Sequence, residues 1–235
     1  METRTKSLPT RYRGDWRAPF ETPIHERMTV GSSVLDIGSG RHPAIPPSDR
    51  PTNVRYVGLD LSREELDAAG PNAYTDSIAA DATVLQPQLQ DQFDLVISWQ
   101  VLEHVEDLEV TLEHIRRYLK PDGLFVALFS GSWSIFGVIN RLLPDRIGAK
   151  IVDRTMKRTE NNVPVFPAFY DRCTAKDLGP LFDKWQNVEI VALFNGAGYF
   201  NFFPPLQRVY LSYENLIHKR NVANLATHYL VKAAR

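Results

Sequence analysis

The feature that most constrains the fold is a short apolar strand that runs into a glycine turn. Val34-Leu35-Asp36-Ile37 is the strand, and Gly38-Ser39-Gly40 follows it directly. A strand, a carboxylate and a Gly-x-Gly turn are typical of the first β-to-α crossing in an open parallel sheet, where ligands bind at the carboxyl ends of strands. Small glycine turns also occur as plain chain reversals, so this stretch alone leaves both interpretations open.

Further apolar segments alternate with helical patterns along the chain. Leu108, Leu112, Ile115 and Leu119 recur at helical spacing, and the segments Phe20–Met28 and Thr174–Phe182 also predict helices. The other predicted strands are Val54–Asp60, Ser77–Ala82, Phe93–Ser98, Leu124–Phe129, Val188–Phe194 and Ala226–Val231. This alternation predicts an α/β fold with a doubly wound sheet.

Composition narrows the class of protein. The chain has 235 residues, a net charge of −1 and one cysteine, Cys173, so it favours neither a nucleic-acid partner nor an intramolecular disulfide. No apolar run reaches the length of a membrane-spanning helix, although association with a membrane surface stays open. We expect one domain over residues 1–235, with an N-terminal arm at 1–19 and an inserted lid or substrate-binding segment at 130–172, working in the cytoplasm.

A second carboxylate follows the second predicted strand. Asp60 lies about 20 residues beyond the glycine turn, the spacing at which an acid can bind both hydroxyls of a ribose. Ser62 is the better helix cap, because Glu65 stands three residues later as in a capping box, and this would leave Asp60 for a ligand. Pro43 stands where a dinucleotide fingerprint has its third glycine, which argues against an ordinary NAD turn.

Three segments and two single acids together resemble the class I S-adenosylmethionine-dependent methyltransferases. Val34–Gly40 is similar to the first motif of that family, and Asp60 and Asp81 match its two cofactor-binding acids. The most specific match is Phe93–Asp107, and Tyr118–Leu124 is similar to the segment before the fifth strand. The resemblance implies a mostly parallel sheet of seven strands with an antiparallel last strand, in a three-layer sandwich, and S-adenosyl-L-methionine as cofactor.

The resemblance also implies which residues hold the cofactor. The glycines would lie along its methionine part, Asp60 at the ribose, and Asp81 with Ala82 at the adenine. The implied cofactor-binding residues are Asp36, Gly38, Ser39, Gly40, Asp60, Leu61, Asp81, Ala82, Ser98 and Trp99.

His104 is the candidate general base, since it follows the fourth strand and histidine changes charge near neutral pH. A structural histidine that caps or packs the next helix is the alternative. Tyr170 and Arg172 are candidate substrate contacts, and the aromatic segment Tyr199–Leu206 could line an acceptor pocket. We expect no metal, because no cluster of His, Cys and Asp has ligand spacing.

The expected reaction is methyl transfer to a small molecule, with O-methylation of a sugar, glycolipid or secondary metabolite as its suggested form. A non-catalytic protein that binds S-adenosylmethionine is one alternative. A nicotinamide-dependent oxidoreductase is another, and both Pro43 and the Phe93–Asp107 segment count against it.

Overall fold

The computed structural model describes residues 8–134, 137–138 and 167–235. Its strands are β1 Ser33–Ile37, β2 Arg55–Asp60, β3 Asp76–Ala79, β4 Phe93–Trp99, β5 Leu119–Ser130, β6 Gln186–Leu193 and β7 His228–Ala234. Its helices are α1 Ala18–Arg27, α2 Arg63–Asp67, α3 Leu108–Tyr118, α4 Ala175–Leu181 and α5 Pro204–Lys219. Most of the predicted insertion at 130–172 lies outside the described residues.

The seven strands form one sheet in the order β3-β2-β1-β4-β5-β7-β6. β1 pairs in parallel with β2 on one side and with β4 on the other, so the chain reverses its direction across the sheet at β1. Ligands of doubly wound sheets bind at such a switch point, beyond the carboxyl ends of the strands. Ile37 lies beside Ser98 in this register, which brings the glycine turn next to the end of β4.

β7 is antiparallel to both of its neighbours, β5 and β6. The predicted seven-stranded, mostly parallel sheet with an antiparallel last strand is therefore confirmed. His228, the first residue of β7, pairs with Ser130 at the end of β5. An antiparallel strand thus begins at the edge where the parallel strands end, and its first side chains join the site.

Alternate residues of β1 point into two different cores. Leu35 and Ile37 pack with Leu112 of α3 on one face, and Val34 packs with Phe20 of α1 on the other. This alternation follows from the two-residue period of a strand buried on both faces. Helices on both faces of the sheet give the three-layer sandwich that was predicted.

Several element boundaries differ from the sequence-based predictions. β3 ends at Ala79, so Asp81 lies in the following turn instead of on the strand. β5 begins at Leu119, because Phe93 pairs with Leu119 before a register shift. The late aromatic segment becomes a 3₁₀ turn at Gly196–Phe200 and then helix α5.

Candidate active site

The turn after β1 needs glycine for steric reasons. Gly38 has φ +72° and Gly40 has φ +49°, in the left-handed region where a Cβ is unfavourable. A Cβ on Gly38 would stand 2.2 Å from Cγ2 of Val101, which comes from the segment after β4. The Gly38 N–H donates to Leu59 O at 2.7 Å. The turn is thereby held against both β2 and the segment that follows β4.

Asp36 is turned into the protein beneath the proline-rich stretch. Its Oδ2 accepts from the Ala44 N–H and from the Tyr56 hydroxyl, each at 2.7 Å, and the residue is 1% exposed. Burial raises its pKa to about 6. These contacts give Asp36 the task of folding residues 41–47 back onto β1, so a direct contact with the cofactor stays a prediction.

Asp60 lies at the end of β2, beside the glycine turn. Its Oδ1 accepts from the Ser62 N–H at 2.8 Å, so the expectation of a wholly uncommitted carboxylate is wrong for one oxygen. A Cβ on Gly40 would stand 3.5 Å from Oδ2, which places that oxygen against the turn. Burial raises the pKa of Asp60, although backbone N–H groups that include those of Ser62 and Gly40 act in the opposite direction. Leu61, the next residue, is 64% exposed.

Ser62 caps helix α2, as predicted, by accepting from the Glu65 N–H at 3.2 Å. The other half of the predicted capping box is absent, because Glu65 accepts twice from Arg41, at 2.6 Å each. Arg41 follows the glycine turn directly, and this bidentate pair ties the turn to the start of α2. The Arg41 guanidinium is the main cause that lowers the pKa of Glu65.

Asp81 and Ala82 form an exposed turn after β3. Asp81 Oδ1 accepts from the N–H and the hydroxyl of Thr83, each at 2.8 Å, an Asx-type turn that fixes the local backbone. The Ala82 carbonyl lies 3.2 Å from Nδ1 of His114 on α3. The turn is held from two sides, with its carboxylate at the surface.

Ser98 and Trp99 end β4 at the switch point. The Ser98 hydroxyl is buried and donates to Ile37 O at 3.2 Å. The Trp99 ring packs on Trp16, with ring centroids 4.7 Å apart, and on Phe20 at 4.8 Å. The guanidinium of Arg17 lies 4.3 Å from the centre of the Trp99 ring. The N-terminal arm therefore reaches the predicted cofactor site.

The arm is also fixed to the far end of the sheet. Tyr12 donates to Glu214 Oε2 and accepts from the Ala197 N–H at 2.8 Å. Arg11 donates to the same Glu214 oxygen at 3.0 Å and to Phe194 O at 2.7 Å. Tyr12 and Trp16, two aromatic residues of the arm, therefore pack on the domain, and residues 1–7 lie outside the described part.

His104 ends a 3₁₀ turn, Leu102–His104, just after β4. Its Nδ1 lies 2.9 Å from the carbonyl oxygen of Pro167. A carbonyl can only accept, so Nδ1 carries the proton in this contact and the neutral ring presents Nε2 as an acceptor. This contact orients the ring, as a positioned base requires, and a purely structural role would also be compatible with it.

Tyr170 and Arg172 differ in whether they contact the 3₁₀ turn that holds His104. The backbone N–H groups of Phe169 and Tyr170 donate to Glu103 O at 3.0 and 2.9 Å, and Tyr170 is 7% exposed. Arg172 donates to Glu109 on α3 at 2.6 Å at the exposed surface. The structure brings Tyr170 to the candidate site, whereas it engages the Arg172 guanidinium elsewhere, so we do not carry Arg172 into the proposed acceptor site.

Several polar residues next to His104 were not singled out from the sequence. Gln100 and Glu103 belong to the Phe93–Asp107 segment, and Ser130 ends β5. The ring of His228 lies 2.8 Å from Asn195 Oδ1 and 3.2 Å from the Tyr199 hydroxyl. Burial lowers the pKa of His228 to about 4 and raises that of Tyr199 to about 12. The match at Phe93–Asp107 could have pointed to Gln100 and Glu103, and the aromatic segment Tyr199–Leu206 contains Tyr199, whereas no sequence signal marks Ser130, Asn195 or His228.

Comparison with known proteins identifies the family. Residues 12–162 match the family described as a methyltransferase domain. The chain belongs to this family. A ubiquinone biosynthesis O-methyltransferase of Bradyrhizobium diazoefficiens is 28% identical over 179 residues, which are 66% of this chain and 70% of that protein. One from Chelativorans sp. (strain BNC1) is 31% identical over 175 residues, covering 66% of each chain.

A solved S-adenosylmethionine-dependent methyltransferase from Mesorhizobium loti shares the fold, with a TM-score of 0.56 at 19% identity over 94% of this chain and 99% of that chain. The present chain is an S-adenosylmethionine-dependent methyltransferase. No helix within residues 8–134, 137–138 and 167–235 is long and apolar enough to cross a bilayer.

The residues of this methyltransferase fit its cofactor. Gly38 and Gly40 have no side chain that would keep a ligand away from the backbone of the turn. The buried hydroxyl of Ser39, between them, has no hydrogen-bond partner among the described residues. Asp60 supplies a carboxylate against that turn, with one oxygen already fixed by Ser62. A buried hydroxyl without a partner is costly unless a ligand satisfies it. When bound, S-adenosylmethionine supplies an electrophilic methyl group on a sulfonium.

Proposed function

We propose that this methyltransferase transfers the methyl group to a hydroxyl oxygen of its acceptor, with His104 as the general base. The observation that carries the proposal is the contact between His104 Nδ1 and Pro167 O, which leaves Nε2 as the acceptor of the ring. The acceptor oxygen forms the new bond to the methyl carbon as the carbon–sulfur bond breaks, and the hydroxyl proton passes to Nε2. General-base help of this kind is typically worth about 10²–10⁴-fold in rate.

In the same proposal, Asp60 holds the ribose hydroxyls, with Leu61 beside them. Asp81 and Ala82 face the adenine, where the Asx-type turn already fixes their backbone. Gly38, Ser39 and Gly40 follow the methionine part. Ser98 and Trp99 close the site from β4, where the Ser98 hydroxyl binds the strand end that leads into the glycine turn.

The acceptor class is supported by the aromatic side chains near the end of β4. Trp16, Trp99 and His228 form one ring cluster, and Tyr199 contacts His228. Phe202 and Phe203 of the late aromatic segment are instead exposed, at 58% and 52%. The relatives from Bradyrhizobium and Chelativorans are named for O-methylation in ubiquinone biosynthesis. We therefore propose a hydroxyl on an aromatic, apolar molecule, ahead of a sugar or glycolipid.

An acceptor screen tests this function. The full chain is incubated with S-adenosylmethionine carrying a labelled methyl group and with three sets of acceptors: phenols, sugars and glycolipids. Label recovered in a methyl ether of a phenol supports the proposal. Label on a sugar hydroxyl would keep the O-methyl reaction and change the acceptor class, and label on nitrogen or carbon would contradict O-methylation.

A binding control accompanies the screen. S-adenosylhomocysteine should raise the melting temperature by mass action, and NAD should not, because only a ligand of the folded state stabilises it. Cofactor binding without transfer to any acceptor would favour the non-catalytic alternative.

A further inference from the structure

Two buried polar atoms beside His104 have no partner among the described residues. They are Nε2 of Gln100, a donor, and Oε2 of Glu103, an acceptor. Glu103 is only 3% exposed, so water does not readily satisfy its carboxylate. A buried polar group without a partner is unfavourable, which suggests that a ligand completes this pair.

One residue, Ser130, anchors both side chains. Its hydroxyl donates to Gln100 Oε1 at 3.1 Å, and its backbone N–H donates to Glu103 Oε1 at 3.1 Å. The Oε1 atom of each side chain is therefore held by a hydrogen bond at the end of β5. The second polar atoms, Gln100 Nε2 as donor and Glu103 Oε2 as acceptor, are left for a ligand. Both side chains are held by Ser130, at the strand end where the candidate site lies.

The backbone of Gln100 is held in an unusual conformation. Its φ is +57°, a region that residues other than glycine rarely adopt. The Gln100 N–H donates to Leu128 O at 2.7 Å, so pairing with β5 maintains this conformation. Strained backbone of this kind concentrates at functional sites, and here it sets the direction in which the Gln100 side chain leaves the chain.

Glu103 is tied to the base and to the segment that covers it. It precedes His104 in the same 3₁₀ turn, and burial raises the pKa of its carboxyl while the neighbouring His104 acts in the opposite direction. The Glu103 carbonyl accepts from the N–H groups of Phe169 and Tyr170, next to the Pro167 carbonyl that binds His104. A group bound at Glu103 Oε2 therefore lies in the neighbourhood of the proposed base.

We infer that Gln100 and Glu103 bind a second hydroxyl of the methyl acceptor, distinct from the hydroxyl whose proton passes to His104. A hydroxyl can donate one hydrogen bond and accept another at the same time. It can therefore donate to Glu103 Oε2 and accept from Gln100 Nε2. An ether only accepts and an ammonium only donates, so neither satisfies both atoms. The inference rests on the proposed function, because it names the chemical group by which that acceptor is recognised.

Binding of a matched pair of small probes tests the site without any turnover. Phenol and anisole are titrated into the full chain saturated with S-adenosylhomocysteine, and dissociation constants are measured by ligand-observed NMR. Wild type should bind phenol at least fivefold more tightly than anisole. Glu103→Gln keeps an oxygen for the Ser130 N–H but presents a donor in place of Oε2, so its preference for phenol should fall close to one.

Gln100→Met provides a second variant in case Glu103→Gln does not fold, and it should also reduce the preference. Glu113→Gln makes the same chemical change on α3, where the carboxylate pairs with Arg116 and Arg117, and should leave the preference unchanged. An unchanged preference in both site variants would overturn the inference, as would equal binding of phenol and anisole by wild type. Loss of the preference in a protein that transfers no methyl group would uphold this site while the proposed function fails.

Discussion

In the β1–β2–β3 half of the sheet edge, the side chains of Asp36 and Asp60 accept hydrogen bonds from residues at most 20 positions away, whereas the side chains of His104 and Gln100 in the β4–β5–β7 half contact residues 30 or more positions away. Asp60 binds a residue two positions away, and Asp36 binds one eight positions away. In the other half, His104 binds Pro167 across 63 residues, and Gln100 binds Ser130 across 30. The cofactor side can thus be specified by short motifs, while the acceptor side depends on how the whole chain folds.

The largest expected effect is on turnover and concerns His104, the proposed base in the β4–β5–β7 half. His104→Ala should lower turnover by roughly 10²-fold or more, because the acceptor proton loses its base, and should leave cofactor affinity nearly unchanged. Steady-state rates and calorimetric titration with S-adenosylhomocysteine measure the two quantities.

His25→Ala is the matched control, since His25 is exposed on α1. Turnover of His104→Ala close to wild type would remove His104 from the chemistry. Such turnover together with a lowered melting temperature would assign it the structural role instead.

A second prediction contrasts one buried titratable group from each half. Burial raises the pKa of Asp36 from 3.8 to about 6, so the folded protein holds a proton that the unfolded chain has lost. Stability from this group is therefore highest below pH 4 and falls as pH rises to about 6, by about 3 kcal/mol. Burial lowers the pKa of His228 from 6.5 to about 4, so its contribution falls as pH drops through the same window, by a similar amount.

Urea unfolding at pH 4, 5, 6 and 7 separates the two contributions. The free energy of unfolding of Asp36→Asn relative to wild type should rise with pH, and that of His228→Gln should fall. Differences of the same sign would contradict the assignment of at least one group.

How far the sequence predicts the molecule follows from the same contrast. The seven strand segments, the glycine turn and the cap at Ser62 depend on local chemistry and were predicted. That Asp36 binds Ala44 was not, because a carboxylate after a strand has the same signature whether it turns toward a ligand or into the protein. Trp16 on Trp99 and Tyr12 on Glu214 join the first residues of the chain to later elements, and no local pattern encodes such contacts.

The third prediction compares how much Asp60 and Asp81 contribute to cofactor affinity. Asp60→Asn keeps an oxygen for the Ser62 N–H but removes the charge at the ribose, which should weaken cofactor binding by about 1.5–3 kcal/mol, or roughly 10–150-fold. Asp81→Asn should weaken it less, because Asp81 is exposed and one adenine contact is at stake. Calorimetry gives both dissociation constants, with Asp67→Asn on the exposed face of α2 as control. Equal, unchanged affinities in both variants would place the cofactor elsewhere.

The smallest effect concerns Trp16, a residue of the N-terminal arm that packs on two strands of the β4–β5–β7 half. Trp16 packs on Trp99 at the end of β4 and on His228 at the start of β7, with ring centroids 4.7 and 6.0 Å apart. Each aromatic pair contributes about 0.5–1.5 kcal/mol beyond area burial, and Trp16 is half exposed, so Trp16→Ala should lower the free energy of unfolding by about 1 kcal/mol. Trp16→Phe keeps a ring at both contacts and should recover most of that loss.

Ligand binding by Trp16→Ala then shows whether the arm supports the binding sites or only the stability of the fold. If Trp16 supports both the proposed cofactor site and the proposed acceptor site, Trp16→Ala should weaken binding of both S-adenosylhomocysteine and the phenol probe, because Trp99 and His228 lose the ring that packs on both of them. Weakening of only one ligand would mean that the arm supports only the site of that ligand. Unchanged binding of both, together with the expected loss of stability, would make the arm a structural element alone.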